Sequence, residues 1–155
     1  GWRIGYLAGP QELVSACERY QGMVSSGANS IAQAAGIEAL LGNQSEVEKM
    51  RQTFESRRNL MHAELSKIQG VKLGNPEGAF YHFPDVSSFF GKKHGDTILK
   101  NADELCLYLL EVALVALVSG AAFGAPNCIR LSYATSNENI IDACSRIKKA
   151  LESLN

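Results

Sequence analysis

The chain has 155 residues, enough for one ordinary domain or for half of something larger. With 46% hydrophobic and 20% charged residues it reads as a soluble globular protein, which excludes the disordered and fibrous classes. A formal net charge of −1 and the lack of any basic run give nucleic acid and acidic membrane surfaces no electrostatic reason to bind.

Trp2 to Leu7 is a short aromatic and β-branched run closed by Gly9-Pro10, which predicts a buried strand ending in a turn. The chain opens without Met and already inside that run, which suggests that something precedes it. Pro10 suits the first turn of a helix to about Tyr20, where its missing N–H costs nothing. After a Gly/Ser loop from Gly22 to Asn29, Ser30 with Gln33 predicts a capping box for a second helix to Leu41, stopped by Gly42. Ser45 with Glu48 repeats the pattern. Val47, Met50, Phe54, Met61, Leu65 and Ile68 then recur at helical spacing up to Gly70, with charged residues on the other face. That predicts one long helix running over a surface or between two subdomains.

Beyond Gly70, short strands alternate with helices: strands at Val71–Leu73, Ala79–Pro84, Leu114–Val118 and Cys128–Ala134, a helix from about Asn101, and a last helix from Asn137. The last helix carries Ile140, Cys144, Ile147, Leu151 and Leu154 on one face. This reads as a compact α+β unit, with a boundary near residue 45. The longest apolar stretch, Leu105 to Val118, is interrupted by Glu111 and too broken to span a membrane.

Cys17, Cys106, Cys128 and Cys144 share no metal or redox spacing and read as reduced, buried, structural thiols, which suits the cytoplasm. No metal site is expected. His62, His82 and His94 show no triad or metal spacing either, and His82 should face away from Tyr81 if its strand alternates. Lys92-Lys93-His94 reads as a solvated loop.

Three clusters could carry chemistry. Arg3 is a guanidinium at the edge of an apolar run, suited to a phosphate or carboxylate, or to a structural ion pair. Gly78-Ala79-Phe80-Tyr81 places a glycine before an aromatic strand, either a close backbone approach or plain core packing. In Phe123 to Ser136, Arg130 interrupts an apolar strand just after a turn, which calls for an anion or a buried acid.

Taken in order, these pieces resemble the class I aminotransferases of fold type I, enzymes dependent on pyridoxal 5'-phosphate (PLP), and within them the aspartate aminotransferase group. Gly1-Trp2-Arg3-Ile4-Gly5-Tyr6 is similar to the segment following the lysine in the motif SKxxxMTGWRxGY. Ser25-Ser26 and Asn29 to Gln33 resemble the loop and helix that come next, Gly78 to Tyr81 the small-domain strand, and Ile129 to Ala134 the C-terminal arginine motif. The resemblance implies an α/β fold: residues 1–44 as the end of the PLP-binding large domain, 45–70 as a connecting helix, and 71–155 as an α+β small domain.

It also implies roles. Arg3 would bind the PLP phosphate, Arg130 the α-carboxylate of the substrate, Phe80 or Tyr81 would line the substrate pocket, and Ser25 and Ser26 would lie near the active site of a homodimer partner. The Schiff-base lysine would lie upstream of Gly1, so the chain is expected to be inactive alone. The intact cytoplasmic enzyme would move an amino group from an L-amino acid, aspartate first, to 2-oxoglutarate. Other fold type I enzymes share these motifs, namely aromatic, alanine and diaminopimelate-type aminotransferases, synthases and lyases. A different class of function is a non-catalytic α+β binding or assembly module, with Arg3 and Arg130 in structural ion pairs.

Overall fold

The computed structural model describes all residues, Gly1–Asn155, and they divide into two compact units, Gly1–Lys49 and Met50–Asn155. In the first unit, α1 spans Gln11–Val24 and α2 spans Ser30–Leu41; α3, Ser45–Leu65, begins here and continues into the second. Pro10 lies just before α1, and its carbonyl accepts the Val14 N–H at 3.1 Å. The cap of α2 is Asn29, not the expected Ser30: the Asn29 carboxamide oxygen accepts the N–H groups of Ile31 and Ala32 at 2.9 and 3.1 Å. Ser30 is already helical, and Gln33 reaches back to the Ala28 carbonyl.

The expected strand at Trp2 to Leu7 does not form. No strand lies beside this segment to complete a hydrogen-bond ladder, and Trp2, Ile4, Tyr6 and Leu7 are exposed. Ala32 is the one buried apolar residue of this unit.

The second unit holds the core. Met61 and Leu65 on α3 and Ile68 beyond it are buried, whereas Val47 and Met50 near the start of the helix are exposed. The helix proper ends at Leu65, and the chain turns through Gly70 at φ +93°. Three strands, β1 (Tyr81–His82), β4 (Val118–Ser119) and β5 (Ile129–Ser132), form an antiparallel sheet in the order β1-β5-β4. β2 (Lys93–His94) and β3 (Thr97–Ile98) make an exposed hairpin where a loop was expected. Lys93 and Asn155 exchange backbone hydrogen bonds at 2.8 and 3.1 Å, which ties the hairpin to the chain end and explains its order.

The expected strand at Val71–Leu73 shrinks to a single bridge between Lys72 and Asp85. That expected at Leu114–Val118 starts only at Val118, because α4 (Ala102–Ala113) runs up to Leu114, which closes it in a left-handed conformation at φ +53°. Arg146 Nη1 caps the same end, donating to the carbonyls of Ala113 at 2.9 Å and Leu114 at 3.2 Å. α5 spans Asn137–Glu152, capped by Ser136, and all five residues of its expected apolar face are buried. α4 and α5 pack on each other and share one apolar cluster with the strands. No helix is long and apolar enough to cross a membrane.

Of the cysteines, all free, Cys106 and Cys144 are buried as expected, and burial pushes both thiols up to about 11, so they stay protonated. Cys17 is exposed, against expectation, because α1 buries none of its residues in this unit.

Candidate active site

Alternation along β5 buries Ile129 and Leu131 and turns Arg130 and Ser132 to the other face. The register pairs Tyr81 with Ser132 and Val118 with Arg130, so Tyr81 shares that outer face. The Arg130 guanidinium lies 4.5 Å from the Tyr81 ring centre and 4.7 Å from that of Phe123. It forms no ion pair and no hydrogen bond with any other residue. Ring faces attract the cation without using its in-plane N–H donors, so the fork stays open to an anion.

Phe80 makes no ring contact with Arg130; its ring lies 4.3 Å from that of Tyr81 and 6.2 Å from that of Phe54, and it lines a cleft of about 380 Å³ with Arg58, Glu77, Ala79 and Tyr133. In the Gly78-Ala79 turn the left-handed residue is Ala79, at φ +59°, while a side chain at Gly78 would meet nothing within 4 Å. The close backbone approach, one of the two readings of this segment, is therefore not what this turn uses. The Tyr133 hydroxyl donates to the Ala79 carbonyl at 3.1 Å and holds the turn against β5.

His82 faces away from Tyr81, as expected, and is 1% exposed. Its Nε2 lies 3.1 Å from the Arg58 carbonyl, so the neutral ring carries its proton there and leaves Nδ1 unpartnered. Burial lowers its pKa; the hydrogen bond to the Arg58 carbonyl works against this, while the charges of His62 and Arg58 add smaller lowering effects.

In the first unit Arg3 is exposed, at φ +54°, and lines a cavity of about 510 Å³ with Trp2, Glu18, Gln21 and Asn29. It too forms no ion pair. The Asn29 side chain already takes the Ile31 and Ala32 amides at the start of α2, and the Arg3 guanidinium offers a fork of donors suited to a phosphate or carboxylate. Ser25 accepts from Gln21 Nε2 at 2.6 Å, and Ser26 sits at φ +63°; both are exposed. No group of three or more His, Cys, Asp or Glu is placed to hold a metal ion.

A family model described as aminotransferase class I and II matches residues 1–147. The chain belongs to that family. An aspartate aminotransferase from Pinus pinaster is 46% identical over 155 residues, covering 97% of this chain and 32% of its own length. The asparagine–oxo-acid transaminase of Streptococcus mutans is 44% identical, with 98% of this chain and 38% of its own length covered. The crystal structure of the Rhizobium meliloti aspartate aminotransferase superposes with a TM-score of 0.92 at 40% identity, over 99% of this chain and 39% of that one. The mixed helix and strand fold is thus that of part of a fold type I aminotransferase, and the chain spans about a third of the length of the curated relatives it matches.

Phe123 had no role assigned from sequence, yet its ring lies against Arg130. Its signal was its place at the head of the arginine motif, two turns of backbone before β5, which cannot reveal a ring folded over Arg130.

Proposed function

We propose that the enzyme carrying this chain is a PLP-dependent aminotransferase, moving the amino group of an L-amino acid, aspartate first, to 2-oxoglutarate. The observation that carries this is Arg130: a half-buried guanidinium packed between two rings, with its N–H edge uncommitted. A structural arginine ends on a carboxylate, whereas this one is poised for a carboxylate that arrives. The module reading required Arg3 and Arg130 in ion pairs, and neither makes one.

Arg3 would hold the cofactor phosphate through its fork of donors. When bound, PLP supplies an electron-accepting ring that weakens the substrate Cα–H bond. Arg130 would fix the α-carboxylate and so set the direction of that bond. Tyr81 would line the α-carboxylate side of the pocket and Phe80 the neighbouring cleft, and Ser25 and Ser26 would lie near the active site of the second subunit of a cytoplasmic homodimer. Aspartate is favoured because relatives from Pinus pinaster and Geobacillus stearothermophilus are named for it. Prephenate, asparagine and aromatic substrates appear in the names of other relatives.

The test is Arg130→Ala in the holoenzyme, assayed with L-aspartate and 2-oxoglutarate. Losing a charge-assisted pair should lower kcat/KM by on the order of a hundredfold or more, about 3 kcal/mol. Unchanged kinetics would remove Arg130 from the site.

A further inference from the structure

Resting on the carboxylate role of Arg130, we propose that Phe123 is a positioning residue: with Tyr81 it forms an aromatic clamp that fixes the guanidinium plane, so that a carboxylate can enter only edge-on and bidentate.

Three observations support the clamp. First, the two ring centres lie at 4.5 and 4.7 Å from the guanidinium carbon and come from separate elements, Tyr81 from β1 and Phe123 from the 3₁₀ turn Gly120–Phe123. Contacts of this kind use the ring faces and none of the guanidinium N–H donors, which remain available to an anion. A lysine could not use such an arrangement, because an ammonium has no plane to hold.

Second, Phe123 is itself braced. Phe83 meets it edge to face, with ring centres 6.1 Å apart and planes at 87°.

Third, the turn that presents Phe123 is built tightly. Gly120 donates to the Cys128 carbonyl at 2.7 Å and accepts from Ala125 at 2.9 Å, while Ser119 Oγ takes the Ala121 N–H at 3.2 Å. A Cβ on Gly120 would collide with the Ala125 carbonyl and stand 2.6 Å from that of Cys128, so the turn needs glycine there. Gly124, at φ +73°, closes it.

The experiment is a double-mutant cycle in the holoenzyme, read as kcat/KM for L-aspartate. Phe123→Leu should lower it roughly fivefold, equivalent to about 1 kcal/mol, and Phe123→Trp should restore it. In an Arg130→Ala background, Phe123→Leu should change nothing further, since the ring acts through the guanidinium. An unchanged Phe123→Leu enzyme, or the same fivefold loss without Arg130, overturns the clamp while leaving the role of Arg130 intact. A normal Arg130→Ala enzyme instead overturns the functional reading, and the clamp falls with it.

Discussion

The two units of this chain use similar helices to opposite ends. In Met50–Asn155 the apolar faces of α4 and α5 close on the sheet and on the end of α3, and Leu105, Leu109 and Ile140 are wholly buried. In Gly1–Lys49 the helices are as well formed and even better capped at Asn29, yet Tyr20, Met23, Leu40 and Leu41 stand in the open. Local signals therefore suffice to make a helix here, but not a core. Stability should be concentrated in the second unit.

That contrast can be broken by substitution. Leu109→Ala leaves a cavity under α4 and should cost about 3 kcal/mol, measured by urea denaturation of the chain. A loss below 1 kcal/mol would mean that the second unit is loosely packed.

A smaller effect follows from His82. Its folded-state pKa is lowered, so the unfolded chain binds the proton more readily. The stability it contributes is complete above the imidazole's ordinary value of 6.5 and is lost as the pH falls below it. The melting temperature should drop on acidification through that range, and His82→Gln, which keeps a donor for the Arg58 carbonyl but cannot titrate there, should flatten the profile. An unaltered profile in the variant would assign the acid sensitivity to other groups.

The smallest change is expected in the first unit. Leu41→Ala, at a side chain 82% exposed, should move the same denaturation curve by less than about 0.5 kcal/mol. A loss as large as that of Leu109→Ala would show that both units unfold around one core.

How much the sequence revealed follows the same division. Where periodicity and packing agree, as along α5 and the two residues beyond it from Ile140 to Leu154, the buried face was legible residue by residue. Where a residue's fate depends on neighbours distant in sequence, it was not. Trp2 to Leu7 has the composition of a strand but no strand to pair with, and the β2–β3 hairpin depends on Asn155. The helix start at Asn29 was misplaced by one residue because Ser30 offers an equally plausible oxygen. At the candidate site, Arg130 stood out as a charge in an apolar strand, but that Tyr81, and not Phe80, lies against it was set by strand register and was not legible. The ring of Phe123 reaches the guanidinium only through the three-dimensional closure of its turn, which no spacing encodes.

Arg130 as the carboxylate receptor is most directly tested by binding. L-Aspartate and β-alanine, which lacks only the α-carboxylate, can be titrated calorimetrically against the wild-type and Arg130→Ala holoenzymes. Wild type should prefer aspartate by roughly a hundredfold, and the variant should lose most of that preference. A variant that discriminates as well as wild type would contradict the assignment.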